Sequence, residues 1–192
     1  MSTVLMIVFL VFAVGMRVVL QRITTGDFGV RVASPAAPMI EIFPGTVFVL
    51  TFCVALVLVF LGDIETITAN LELPLWARWT GFVLGISGIM ITVVSQHQMG
   101  DAWRIGVDQQ EVTALKIKGL YAKSRNPIYF GIMLFWIGLC LTFSSLWLWL
   151  CAAICWVCIE LIVRKIEEPY LETVHGTDFK EYQKKTNRYL PL

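Results

Sequence analysis

The chain has 192 residues, 57% of them hydrophobic and 15% charged, with a formal net charge of +1. Soluble domains carry roughly 25% charged residues, so this balance belongs to a bilayer, and a net charge so close to zero gives no reason to expect nucleic acid as a partner. The expected fold class is all-α, an integral membrane bundle of about five transmembrane helices with a cytosolic C-terminal helical tail.

The first apolar run, Val4 to Leu20, has no basic leader and ends in Met16-Arg17-Val18 without a small-residue cleavage site. It reads as a retained helix and not as a signal peptide. The second run is Ile42 to Leu61 and the third Leu75 to Ser95. Gly81, Gly85 and Gly88 give the third helix a small-residue face, and Gly131 and Gly138 do the same for the fourth, Ile128 to Phe143, so both can approach a neighbour closely. Only Ser144 and Ser145 separate it from the fifth, Leu146 to Val163, and a connection that short makes the two antiparallel. The fifth helix should continue through Glu168 and break at Pro169. A short amphipathic helix then opens on the capping pair Asp178 and Glu181. No repeat or low-complexity tract divides the chain, so residues 1–192 form one membrane domain.

Lys and Arg are retained on the cytoplasmic side of membranes. With the N-terminus outside, fourteen of the fifteen basic residues fall in the two inner loops and the tail, and only Arg78 lies outside. The expected orientation therefore puts the C-terminus and most polar residues in the cytosol. The five cysteines, Cys53, Cys140, Cys151, Cys155 and Cys158, all lie in apolar runs and read as packing residues.

Little in the chain suits metal or triad chemistry. There are two histidines, His97 and His175, and no HExxH or paired CxxC, so no metal site is expected. No strand feeds a GxGxxG turn, which excludes a Rossmann cofactor site. Two segments remain. One is Gly119-Leu-Tyr121-Ala-Lys-Ser-Arg125-Asn126-Pro127-Ile128-Tyr129-Phe-Gly131, where Asn126 and Pro127 suit the N-cap and first turn of the fourth helix and Tyr121 and Tyr129 could equally be interfacial anchors. The other is Glu160-Leu-Ile-Val-Arg164-Lys-Ile-Glu167-Glu168, whose Glu160, Arg164 and Glu168 share a helix face. Glu160 sits about one turn inside the apolar run, where an acid is costly and points to function. The hairpin brings both segments to the same end of the bundle.

The order Gly119-Leu-Tyr, Arg125-Asn-Pro-x-Tyr129-x-Gly131, Glu167-Glu168, His175-Gly176-x2-Phe179-x2-Tyr182 and Leu190-Pro191 resembles the isoprenylcysteine carboxyl methyltransferase family over about residues 113–192. The resemblance implies a cytosolic site for S-adenosyl-L-methionine within about residues 97–192. It assigns Thr113, Ala114, Leu115, Lys116, Tyr121, Asn126, Pro127, Ile128 and Tyr129 to the cofactor, together with the acids Glu167 and Glu168. It assigns Arg164 to the substrate carboxylate, so that Arg164 and Glu168 are the expected catalytic pair. Asn126 stands where the family has His, and His175 where it has Phe or Tyr. The implied partners are membrane lipids and a lipophilic or prenylated small-molecule or peptide acceptor. Carboxyl methylation suits the loss of the His, because a carboxylate with a pKa of about 3.5 is already ionised and needs no base. Phospholipid N-methyltransferases and NADPH-dependent sterol or enone reductases have related C-terminal halves and remain alternatives, and a non-enzymatic membrane subunit is a third.

Overall fold

The computed structural model describes residues 1–29, 39–62, 71–104, 112 and 114–189. All five apolar helices read from the sequence are present. They are α1 (Ser2–Thr25), α2 (Met39–Leu61), α3 (Leu75–Met99), α4 (Pro127–Phe143) and α5 (Leu146–Ile162), followed by the polar α6 (Glu168–Lys185). Four helical stretches, Ser2–Thr25, Ile42–Leu61, Leu75–Ala102 and Leu146–Lys185, are long and apolar enough to cross a membrane. The 17-residue α4 is shorter, about 25 Å at 1.5 Å per residue, the lower end of what spans a bilayer.

α1 is α-helical at both ends and π-helical over Phe9–Gly15, where the Met16 N–H bonds to the Val11 carbonyl five residues back. Leu5, Phe9, Ala13, Arg17 and Gln21, spaced four apart, are all buried. A four-residue step overshoots an α-helical turn by about 40°. The wider π turns take that drift back, so one row faces inward along the whole helix. Phe9 stacks on Phe135 of α4 at 4.2 Å and on Phe52 of α2 at 5.4 Å, and Phe52 meets Trp136 edge-on at 4.9 Å. These rings form the middle of the core, each pair adding about 0.5–1.5 kcal/mol beyond its buried area.

α3 and α4 touch backbone to backbone through the expected glycines. A Cβ on Gly88 would lie 2.4 Å from the Phe135 nitrogen and 2.5 Å from the Gly131 carbonyl oxygen. A Cβ on Gly138 would lie 2.3 Å from the Gly85 nitrogen. At the far end of α4 the left-handed Ser144 (φ 61°) turns the chain, its N–H on the Cys140 carbonyl, and Ser145 starts α5 as the hairpin requires. Cys140, Cys151, Cys155 and Cys158 are buried free thiols and Cys53 is exposed.

The tail departs from expectation at Pro169. The chain stays helical through it, because a π-helical stretch, Val163–Glu167, already re-phases the ladder there and bonds the Glu168 N–H to Val163. A proline at the start of the next segment then removes no bond the helix relies on. The break comes at Gly176, whose φ of 52° and ψ of −118° few residues other than glycine adopt.

Candidate active site

The site grows from the start of α4. Pro127 opens the helix and Asn126 holds the N-cap position, but the Asn126 side chain does not cap the first turn. Its amide donates instead to the Arg188 carbonyl at 3.3 Å, and its backbone N–H donates to the same oxygen at 3.0 Å. The positive end of the α4 dipole is thus left without a side-chain acceptor from its own cap.

The preceding residue, Arg125, ties the tail down. Its backbone N–H reaches the Asn187 carbonyl at 2.8 Å, and its guanidinium donates to the Thr186 carbonyl and, at 2.9 Å, to Glu168. Arg188 grips the same carboxylate through Nη2 at 2.7 Å and Nε at 3.0 Å. Glu168, 8% exposed, is therefore held by two guanidiniums, and the hydrogen bond to it keeps the Arg188 guanidinium above its ordinary pKa. Tyr182 of α6 reinforces this clasp by donating its hydroxyl to the Tyr121 carbonyl.

Glu167, one residue earlier, has different company. Its carboxylate accepts the Tyr129 hydroxyl at 2.6 Å, and no basic side chain pairs with it among the described residues. Tyr121 lies within its electrostatic reach, and burial pushes the Tyr121 phenol well above its usual pKa, with Glu167 and Tyr182 adding to the effect. Tyr121 is a neutral donor whose hydroxyl bonds to the Ser95 carbonyl at 3.3 Å. The turn that carries it, Gly119–Ala122, docks on α3: Gln98 accepts the Leu120 N–H at 2.7 Å beside Gly119, whose φ of 65° favours glycine.

Beside this polar cluster a groove of about 650 Å³ runs between α4 and α5. Met133, Trp136, Ala152, Trp156 and Ile159 are among its walls, and its polar end is formed by Asn187 and Tyr189, the neighbours of the Glu168 clasp. Glu160 and Arg164 pair with each other one helical turn apart on α5 and the π stretch after it. Arg164 is half exposed and makes no bond to Tyr129, Glu167 or Glu168 among the described residues.

The structure thus gathers Tyr121, Asn126, Pro127, Ile128, Tyr129, Glu167 and Glu168 at one end of the bundle, with Arg164 a turn away. Ala114, Leu115 and Lys116 lie in non-helical chain leading to the Gly119 turn and make no hydrogen bond or ion pair with the cluster among the described residues. Thr113 and the terminal Leu190-Pro191 lie outside the described residues. Sequence reasoning assigned nothing to Arg125, Asn187 or Arg188, which complete the clasp. The available signal was a buried acid at Glu168 facing a tail with a basic residue at its end.

The phospholipid methyltransferase family model matches residues 76–178. No curated protein matches the chain. A solved structure of a eukaryotic intramembrane Ras methyltransferase, isoprenylcysteine carboxyl methyltransferase, has a similar fold, with a TM-score of 0.63 at 18% identity over 96% of this chain. The chain spans 64% of that protein's length. The matched region takes in α3, the Tyr121–Tyr129 cluster, the α4–α5 hairpin and both acids, more than half of the sequence, and on that ground the protein belongs to the phospholipid methyltransferase family of membrane methyltransferases.

Proposed function

We propose that the protein transfers the methyl group of S-adenosyl-L-methionine to the carboxylate of a lipophilic, isoprenylcysteine-like acid, using residues of its C-terminal half, about 97–192. The observation that carries this reading is the apolar groove between α4 and α5, whose polar end is formed by Asn187 and Tyr189 next to the Glu168 clasp. Glu167, an acid with no basic partner among the described residues, suits the ammonium of an amino-acid moiety. The uncapped first turn of α4 suits its carboxylate.

When bound, S-adenosyl-L-methionine supplies an electrophilic methyl group on a sulfonium. The chain's own residues then have to position and exclude. Glu167 and Tyr129 orient the cofactor's amino-acid end, and Glu168 holds the tail closed over them through Arg125 and Arg188. The groove keeps the acceptor's chain out of water while Arg164 turns its carboxylate toward the site. A carboxylate acceptor arrives ionised, so no residue has to take a proton, and the effect is one of alignment and electrostatics. With labelled cofactor, a prenylcysteine acid should be methylated and phosphatidylethanolamine should not. The second reading, N-methylation of a phospholipid amine, is favoured by the family description. It requires a proton acceptor, for which Glu167 is placed, and the same assay with the acceptors reversed would establish it.

Arg164→Lys tests the substrate role. Lys keeps the charge but loses the planar fork that fixes a carboxylate's angle. Turnover should fall by an order of magnitude or more while cofactor affinity, read by calorimetry, stays the same. Near-normal turnover would leave Arg164 as a mere surface partner of Glu160.

We also place this end of the bundle in the cytosol, on the strength of the basic-residue asymmetry. Lys123 and Lys184 are exposed on the two sides of the clasp. Single cysteines there, in a background without native cysteines, should both react with an impermeant reagent only when the cytosolic face is open to it. Labelling from the outside would invert the topology.

A further inference from the structure

A second cavity, of about 270 Å³, lies between α1 and the end of α3. Phe12, Met16, Leu20, Val93 and Val94 form an apolar wall, and Arg17, Gln96, His97 and Gln98 form a polar one. Arg17 is 7% exposed, a cation deep against a membrane helix, and such charges are usually paired. Its partners among the described residues are all neutral. Nη2 donates to Gln21 Oε1 and to the Gly100 carbonyl, both at 2.6 Å, and the guanidinium lies 4.8 Å from the Trp103 ring centre. Asp101, the acid whose charge it feels, is exposed and makes no ion pair with it. Among the described residues Arg17 Nε has no hydrogen-bond partner. Gln96, 6% exposed, donates to the Ala13 carbonyl at 2.9 Å within the π stretch of α1, but its Oε1 likewise has none.

We propose that this cavity holds a phospholipid, its phosphate against the Arg17 guanidinium and an acyl chain along Phe12, Leu20, Val93 and Val94. A phosphate supplies the anion that the buried guanidinium lacks, and Arg is suited to it by its fork of donors. The apolar wall distinguishes a lipid headgroup from a free phosphate ion, which would have no use for it. Gln98 in its polar wall also holds the Tyr121 turn, but the cavity shares no lining residue with the proposed methyl-transfer groove, and the proposal stands whether or not that reading holds.

The test uses the purified full chain in detergent and reads bound lipid by native mass spectrometry. Phosphatidylglycerol should bind saturably as one molecule. Diacylglycerol of the same chain lengths, lacking only the phosphate headgroup, should bind about tenfold or more weakly. Inorganic phosphate should not displace the lipid, and neither should S-adenosylhomocysteine. Arg17→Gln removes the charge, and Val94→Trp fills the apolar wall without touching Arg17. Each should abolish the one-to-one complex, and the second keeps the test valid if the first fails to fold. Equal retention of phosphatidylglycerol and diacylglycerol, or an unchanged complex in Val94→Trp, would overturn the proposal. Displacement by phosphate would show a free-anion site, and displacement by S-adenosylhomocysteine a part of the cofactor pocket, and either would overturn it as well.

Discussion

Glu167→Gln is expected to weaken binding of S-adenosylhomocysteine by about 10- to 150-fold, the value of a charge-assisted hydrogen bond of roughly 1.5–3 kcal/mol. Its neighbour should behave in the opposite way. In Glu167→Gln the carboxamide still accepts the Tyr129 hydroxyl, so the fold loses nothing and the melting temperature without ligand should stay close to that of the parent. In Glu168→Gln two guanidiniums at 2.9 and 2.7 Å face a neutral amide. Breaking a buried ion pair by removing one partner costs about 3–5 kcal/mol, and Arg125 and Arg188 remain near the protein interior after the change. The expected result is a large fall in melting temperature, with ligand affinity weakened only as far as the tail comes loose. Calorimetry and melting on both variants separate the two roles. Equal affinities for Glu167→Gln and the parent would take Glu167 out of the cofactor site, and a normal melting temperature for Glu168→Gln would show that the tail is held by something other than the clasp.

Gly138→Ala should be the most damaging single-methyl change in the bundle. The new Cβ would stand 2.3 Å from the Gly85 nitrogen and 2.5 Å from the Gly81 carbonyl, and both obstacles are backbone of α3, which cannot rotate away as a side chain would. The helices must separate along their length. Overpacking costs about 1–3 kcal/mol where side chains can yield, and here the upper end or more is expected. Separation would also disturb the Tyr121 turn, which rests on the end of α3. Gly45→Ala in α2 is the control, because nothing lies within 4 Å of its Cβ and its backbone is helical. It should be neutral or stabilising by about 0.5–1 kcal/mol. Thermal melting in detergent of the two variants gives the comparison, and equal melting temperatures would mean that α3 and α4 do not meet through these glycines.

The five apolar helices were legible because each is a nearly uncharged run, four of them long enough for the bilayer and α4 shorter, and the α4–α5 hairpin because two residues allow no other connection. The glycine faces were legible too, since membrane helices have few other reasons to repeat small residues on one side. Pro169 misled because a proline signals a break only when the helix ladder needs its N–H, and the π stretch before it removes that need. Such a stretch has no residue signature of its own. The Glu168 clasp was illegible for a different reason. It joins Arg125 to Arg188 across 63 positions, and sequence spacing carries no information about which of many exposed-looking bases will fold back on a given acid. Asn126 was correctly placed at the helix start, but the destination of its amide depends on a tail whose path only the tertiary structure fixes.

The π stretch of α1 acts as a phase correction. Wound as an ordinary α-helix with every residue kept, the same sequence would turn everything before Phe9 by about 100° about the axis relative to everything after Gly15. Leu5 and Phe9 could then stay in the aromatic core, or Arg17 and Gln21 could stay against Gly100 and Asp101, but both sets could not. A helix one residue longer than its hydrogen-bond ladder requires is thus what lets a single inward row serve an apolar middle and a polar end.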